Sequence, residues 1–350
     1  MDGAGGLVSD EEVVSDLASP ARLQPWLVAH LGVGRRRPPG ITRRARGSSN
    51  EMFEVDVDGR RWMLRRPTKI ALAGAGAGIA REYRLLTALE GTAAPHPHPV
   101  AFCDDDTVIG SPFYLMDLVE GFEPIDPLPG AFLTDPGARH GLGIALVDAL
   151  AELSVVDWRA QGLSDFGKPD GFHERQVRRW RSQLESYRWR DLPYVDSIEA
   201  WLTANRPQRF VPGIMHGDYH QGNVLMAPDL PPRVAAIVDW ENATIGDPLL
   251  DIGYFLTGWP DPGEARRLGT RIEDRRGLAT KADLIEHYES RTGRPVGSLG
   301  YYMVLSLYKL AVMLEGIVAR GHALGRDVSG TARYVESLLI EADRLSLAGA

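Results

Sequence analysis

The residues best placed to do chemistry lie in Met215-His216-Gly217-Asp218-Tyr219-His220-Gln221-Gly222-Asn223-Val224-Leu225 and in Ala236-Ile237-Val238-Asp239-Trp240-Glu241. Apolar, strand-like residues flank a polar loop, and a second apolar run ends on Asp239. Asp218, Asn223 and Asp239 bring two carboxylates and one amide, all oxygen donors. Magnesium is a hard cation that prefers such ligands. Phosphoryl transfer demands charge neutralisation and in-line positioning more than covalent chemistry by the protein. One carboxylate must then stay clear of metal and face the acceptor hydroxyl. Asp218 is that candidate, as positioner and proton acceptor, with Asn223 and Asp239 as candidate magnesium ligands. A short loop between strands can present all three on one rigid edge.

The elements that must position them follow from patterning. Residues 1–33 read as a helical segment, with Leu23, Trp26, Leu27 and Leu31 at helical spacing. The basic run from Arg35 to Arg46 reads as a solvated linker and strand edge. Residues 52–57 and 60–64 read as two strands joined through Asp58-Gly59, a two-residue hairpin signal. The glycines of Gly74-Ala75-Gly76-Ala77-Gly78 read as a flexible loop feeding a helix over about 79–90. That helix places Ile79, Glu82, Tyr83 and Leu86 on one face, where the Glu82 carboxylate needs a partner. Residues 100–103 and 113–116 read as further strands, and Asp104-Asp105-Asp106 as a turn. After Met116 the pattern becomes mainly helical, with short strands around 214–240. The domains predicted are the helical segment 1–33, a nucleotide-binding N-lobe at 34–118, and a catalytic and acceptor-binding C-lobe at 119–350.

Composition narrows the function classes. The chain has 350 residues, and 39 Lys+Arg against 47 Asp+Glu give a net charge of −8, which disfavours a general nucleic-acid binder. A single cysteine, Cys103, rules out an internal disulfide and a cysteine-rich zinc site. The acidic N-terminus lacks the apolar stretch of a signal peptide. Met303–Ala319, interrupted by Lys309 and Glu315, reads as a core helix too short and too charged to span a membrane. The expected location is cytoplasmic, with no nucleic-acid or membrane partner. No G-x-x-x-x-G-K-[ST] loop occurs, and the run at 74–78 puts Ile79 where the third glycine of a dinucleotide fingerprint would fall.

Asp218 and Asn223 stand at the Asp-x-x-x-x-Asn spacing of a kinase catalytic loop, with Asp239 where a kinase metal aspartate stands. HGDYHQGNVL followed by IVDWENATIGDPLLDIGYFL closely resembles the aminoglycoside phosphotransferase family of the protein-kinase-like superfamily. The likeness extends to GSSNEMFEVDVDGRRWMLRRP, REYRLLTALEG and FYLMDLVEG, covering roughly residues 40–320. GFHERQVRRW and FYLMDLVEG look most like the phosphotransferase portion fused to certain acyl-CoA dehydrogenases (family members ten and eleven). The resemblance implies an α+β, two-lobed protein-kinase-like fold, with an antiparallel-sheet N-lobe carrying one key helix and a mainly helical C-lobe. It implies ATP and Mg2+ as cofactors and transfer of the γ-phosphoryl group to a hydroxyl of a small molecule, aminoglycoside-like or hydroxyacyl-CoA-like. By the same resemblance Asp218 is catalytic, and Asn223 and Asp239 bind magnesium. Ser48, Ser49 and Asn50 lie over the phosphates, Arg65 contacts them and Glu82 partners Arg65. Main-chain groups from Asp117 to Val119 hold the adenine, and His216 and Asp251 brace the loop.

The chain departs from the pattern in three places. Arg65 replaces a lysine, a planar fork for a point charge, and Arg66 beside it is a candidate to share its task. Gly47 is all that remains of a glycine-rich loop. Trp240-Glu241 replaces Phe-Gly after the metal aspartate, and no activation segment separates Asp239 from Asp251, which favours a small-molecule acceptor over a protein. The stretch 173–190, read as one helix, carries Arg175, Arg178, Arg179, Arg181, Arg188 and Arg190. It reads as a solvated basic face or as a grip on an anionic acceptor. The alternatives are a nucleotide-binding pseudokinase or regulatory binding module, kept open by Arg65, and an oxidoreductase, suggested by the glycine run.

Overall fold

The computed structural model describes residues 10–34, 37–46, 50–68, 75–261, 269–297 and 299–348. The chain forms two compact units, one from Met1–Thr92 and His96–Glu120, the other from Ala93–Pro95 and Gly121–Ala350. Together they give an α+β architecture with an antiparallel-sheet unit and a mainly helical unit.

The first unit opens with α1 (Asp10–Leu17) and α2 (Pro20–Leu31). The expected single helical segment is broken at Ser19, whose extended ψ of 119° lets Pro20 start a new helix at its first position. Leu23, Trp26 and Leu27 of α2 enter the same core as Phe53, Val55, Leu64 and Leu115 of the sheet. The sheet has the order β1-β2-β3-β5-β4, all pairs antiparallel, from β1 (Gly40–Arg46), β2 (Asn50–Val57), β3 (Arg60–Pro67), β4 (Pro99–Cys103) and β5 (Phe113–Asp117). Asp58 and Gly59, between β2 and β3, have φ of 54° and 83°. A two-residue hairpin needs both in that left-handed region to match the strand twist.

Before β4 comes α3 (Ala75–Leu89), which buries Ile79, Glu82, Leu85, Leu86 and Leu89. Gly76 and Gly78 are its first turn rather than a loop, and a Cβ on Gly76 would come 3.1 Å from Pro112 Cγ. Gly74 lies outside the described residues. The three aspartates after β4 start a short helix, α4 (Asp106–Ile109), with the Asp105 carboxylate capping the Thr107 N–H at 2.8 Å.

In the second unit α5 (Ala131–Thr134) precedes α6 (Pro136–Ser154), which is buried on most sides. Next come α7 (Phe172–Ser186) and α8 (Val195–Ala204). The stretch read as one helix to 190 stops at Ser186, with Tyr187 leaving the helical path at φ −134°, and beyond it Arg190 bonds Glu315. Four short strands follow, β6 (Gly213–Met215), β7 (Val224–Met226), β8 (Val234–Ile237) and β9 (Thr244–Gly246). They pair as β6 with β9 and β7 with β8. The chain ends in α9 (Leu249–Gly258), α10 (Lys281–Thr292), α11 (Gly300–Ala323) and α12 (Ser329–Leu347).

Helix α11 is longer than its sequence suggests. Its 24 residues contain an 18-residue window of mean hydropathy 1.6, enough by length and composition to cross a membrane, and 61% of that window is buried inside the protein. It packs against α12, α9, α7 and α8, as the core helix of the unit.

Candidate active site

The polar loop between β6 and β7 is shaped from below by buried groups. Asp251, in the first turn of α9, accepts the main-chain N–H of His216 at 2.6 Å and of Gly217 at 2.8 Å. His216 is buried, its Nε2 lies 2.9 Å from the Val238 carbonyl, and Asp218 N donates to its Nδ1 at 3.3 Å. One ring nitrogen donates and the other accepts, so the ring is neutral, and burial holds its pKa down at about 4. Gly217 has φ of 81°, and a Cβ there would come 2.5 Å from the Asn242 carbonyl, so no other residue fits without displacing the loop. Tyr219 points into the core and donates to the Leu146 carbonyl at 2.7 Å.

Above this base stand the three oxygen-bearing side chains. Asn223 Nδ2 lies 2.9 Å from the Asp218 carbonyl and 3.3 Å from its Oδ2. The Asn223 carbonyl in turn accepts Val238 N at 2.9 Å, tying the loop to the residue before Asp239. Asp239 stands two residues beyond the end of β8 and has φ of 65° and ψ of 63°, a conformation costly for a residue with a Cβ and one that clusters at functional sites. Burial raises the Asp218 pKa. Lys309 lowers it, the Asp239 charge raises it, and hydrogen bonds from Tyr254 and Asn223 lower it. His220 lies with Nε2 3.9 Å from Asp218 Oδ2, and burial lowers its pKa to about 4.

Among the described residues no group of three or more His, Cys, Asp or Glu could hold a metal by itself. The donor set is an amide and a carboxylate. Since Asn223 commits its amide nitrogen to Asp218, its side-chain oxygen is the atom available to a cation. Two oxygen donors that leave the other coordination positions to nucleotide oxygens and water fit magnesium, which keeps several waters and is usually bound through one or two carboxylates plus substrate phosphates.

The remaining candidates lie in the first unit. Arg65 Nε is 2.7 Å from Glu82 Oε2, and Tyr114 donates its hydroxyl to the same oxygen at 3.0 Å, with all three residues buried. Glu82 therefore has the partner its inward position requires. Arg66 does not share this task. It donates to the carbonyls of Leu17, Ile109 and Pro67, joining α1, α4 and β3. Asn50 opens β2 opposite Pro67 and is half-buried. Ser48 and Ser49 lie outside the described residues. The Asp117 N–H is taken by the His98 carbonyl at 2.9 Å, so any main-chain donor from this stretch comes from Leu118 or Val119.

Lys309 of α11 escaped the sequence reading. Its Nζ donates to the Gly217 carbonyl, and it lines a pocket with Asp218, Asp251 and Tyr254. The available signal was a lone charge inside an apolar helix, which must find a polar partner.

The chain is 29% identical over 342 residues to acyl-CoA dehydrogenase family member 10 of Mus musculus, covering 95% of this chain and 32% of that protein. It spans between 32% and 42% of the length of the curated relatives it matches. A crystal structure from Ralstonia eutropha, provisionally assigned as an aminoglycoside phosphotransferase, superposes with a TM-score of 0.79 at 30% identity, covering 94% of this chain and 98% of that one. A thermostable aminoglycoside phosphotransferase APH(4)-Ia variant, solved as a ternary complex with AMP-PNP and hygromycin B, shares the fold at a TM-score of 0.54 and 16% identity, covering 94% of this chain and 99% of that one. Residues 40–284, more than half of the chain, match the family model for the phosphotransferase enzyme family. The chain is a member of that family.

Proposed function

We propose that the protein transfers the γ-phosphoryl group of Mg-ATP to a hydroxyl of a small-molecule acceptor. The observation that carries this reading is the convergence of Asp218, Asn223 and Asp239 at one end of the β7–β8 pair, with Asn223 bonded to both the main chain and the carboxylate of Asp218. Asp218 positions the acceptor hydroxyl and takes its proton as the oxygen attacks. Asn223 and Asp239 would hold magnesium, whose charge offsets that of the β- and γ-phosphates when nucleotide is bound. Arg65, set by Glu82 and Tyr114, is the phosphate-binding cation of the first unit. By the sequence resemblance, Ser48, Ser49 and Asn50, the Asp117 carbonyl and main-chain groups of Leu118 and Val119 are further candidates for holding the nucleotide.

The acceptor is a small hydroxylated molecule. The acyl-CoA in the mouse relative's name makes a hydroxylated acyl-CoA one candidate acceptor, and the hygromycin complex of a structural neighbour makes an aminoglycoside another. Arg65 in place of lysine favours a second reading, a nucleotide-binding module without turnover. A mass-resolved screen of a metabolite extract with ATP and the protein separates the two. A product heavier by one phosphoryl group, absent without magnesium, supports the kinase. Magnesium-dependent ATP binding with no product overturns it in favour of the module.

A further inference from the structure

Four of the six arginines at 175–190 are taken up by protein oxygens, Arg175 by carbonyls and Arg181, Arg188 and Arg190 by carboxylates. A polar group with a free hydrogen-bonding atom stands instead in the loop itself, at His220, two residues beyond the candidate base.

His220 caps the short turn Gln221–Asn223, its Nδ1 taking the main-chain N–H of Gly222 at 2.9 Å. A main-chain N–H only donates, so Nδ1 is an acceptor and carries no proton. The ring proton therefore sits on Nε2, which makes Nε2 a donor. The ring is neutral, because a second proton would have to stand on Nδ1 against the Gly222 N–H. Burial and the charge of Arg271 press the same way, with Arg271 Nη1 3.3 Å from where a Gly222 Cβ would sit. The Tyr254 ring stands edge-to-face with the imidazole, 6.1 Å between centres, and the Tyr254 hydroxyl bonds Asp218. Main chain on one side and an aromatic ring on the other thus set the imidazole.

His220 Nε2 lies 3.9 Å from Asp218 Oδ2. That is too long for a direct hydrogen bond. It is the span that one oxygen bridges, at about 2.8 Å from each. Both side chains are partly exposed, at 22% and 27%, so an oxygen can reach both from solvent. Among the described residues no other group takes the Nε2–H. A donor and a carboxylate at this spacing match a hydroxyl, whose O–H donates to Asp218 while a lone pair accepts from Nε2. An ammonium has no lone pair for Nε2, and an ether has no proton for Asp218.

Resting on the phosphotransferase reading above, we propose that His220, through its Nε2–H, holds the oxygen of the acceptor hydroxyl whose proton Asp218 receives. In the reaction the acceptor O–H loses its proton to Asp218, the oxygen bonds the γ-phosphorus through its other lone pair, and the bond from that phosphorus to the bridging oxygen of ADP breaks. His220 keeps its proton throughout.

The test separates the two ring nitrogens. In His220→Asn the amide oxygen reaches the place of Nδ1 and keeps the Gly222 bond, but nothing replaces the Nε2–H. In His220→Gln the amide nitrogen reaches the place of Nε2 and keeps the donor, at the expense of the cap. Both are compared with wild type for transfer of label from ATP carrying a radiolabelled γ-phosphate into a metabolite extract, and for Mg-ATP affinity by calorimetry. His220→Asn is expected to label about 10-fold more slowly, the worth of one hydrogen bond, with Mg-ATP affinity within about twofold of wild type. His220→Gln is expected to recover most of the rate. A purely structural cap predicts the opposite order. Labelling by His220→Asn within about twofold of wild type overturns the proposal and leaves the phosphotransferase reading intact. So does a His220→Gln variant no faster than His220→Asn. A loss of Mg-ATP affinity that matches the loss of rate also overturns it, placing His220 on the nucleotide instead. If His220→Gln fails to fold, His220→Asn decides alone, by rate against affinity. Absence of labelling by the wild type counts against the phosphotransferase reading itself, and the proposal falls with it.

Discussion

Asn223 holds Asp218 at two points, its side-chain nitrogen 2.9 Å from the main-chain carbonyl and 3.3 Å from the carboxylate Oδ2. The amide therefore fixes both the backbone and the side chain of the candidate base, and its own oxygen is the atom that would be available to a cation. Asn223→Asp keeps an oxygen donor but replaces the N–H donor with a second carboxylate beside Asp218. We expect kcat to fall by about 100-fold, more than nucleotide affinity does, since a small misplacement of a reacting group costs that much. Steady-state kinetics set against calorimetric nucleotide binding checks this. A variant that loses affinity and keeps kcat would show that Asn223 serves the metal alone.

Gly217 is the residue on which the loop turns. With φ of 81° and the Asn242 carbonyl 2.5 Å from an added Cβ, Gly217→Ala combines backbone strain with a clash against main chain. It should cost about 2 kcal/mol of stability or more and displace Asp218. Denaturant unfolding and turnover measured on the same preparation would reveal both losses. Wild-type values for both would mean the loop has room the structure does not show.

The Arg65–Glu82 pair gives a double-mutant cycle. Arg65→Met leaves a carboxylate that is 3% exposed with the Tyr114 hydroxyl but without its cation, and breaking such a pair costs about 3 kcal/mol. Adding Glu82→Gln removes the stranded charge and should recover part of that loss. Simple additivity of the two substitutions would deny the coupling.

His216 makes the folded protein sensitive to acid. Its pKa is about 4 in the folded chain against an ordinary 6.5, chiefly through burial. Between these values the unfolded chain takes up a proton that the folded chain refuses. The contribution is thus complete above pH 6.5 and falls on acidification, by about 2 kcal/mol at pH 5. Asp251 works in the opposite direction. Burial raises its pKa from 3.8 to about 6, against the two N–H bonds that lower it, so its contribution is lost as pH rises through 6. Comparing His216→Gln with wild type isolates the histidine, and the stability gap between them should be smaller at pH 5 than at pH 7. An equal gap at both would contradict a neutral buried ring.

Local rules reached the hairpin at Asp58-Gly59, since a two-residue turn is a matter of two φ angles. They also reached the spacing of Asp218 and Asn223, because one short loop contains both. They did not reach Lys309, on a different helix far along the chain, whose apolar neighbours mark it only as a core residue. Nor did they find where α7 stops. Arg190, beyond its end, pairs with Glu315 and Glu336, partners more than a hundred residues away, and no local pattern announces a long-range ion pair. The arginines read as one basic face are for the same reason mostly neutralised by acids or carbonyls from elsewhere in the fold. Arg66, a neighbour of Arg65 in the chain, bonds carbonyls of α1 and α4, a role that only the packed unit reveals.

The central claim is that Asp218 receives the acceptor proton. It is most directly tested by Asp218→Asn, a near-isosteric change, with phosphoryl transfer from Mg-ATP measured at saturating nucleotide and acceptor. The expected result is a fall in kcat of about 100- to 10,000-fold, the range for loss of a positioned general base, with nucleotide affinity within about threefold of wild type because Asp218 does not hold the nucleotide. Undiminished turnover in the variant would contradict the account and remove Asp218 from the reaction.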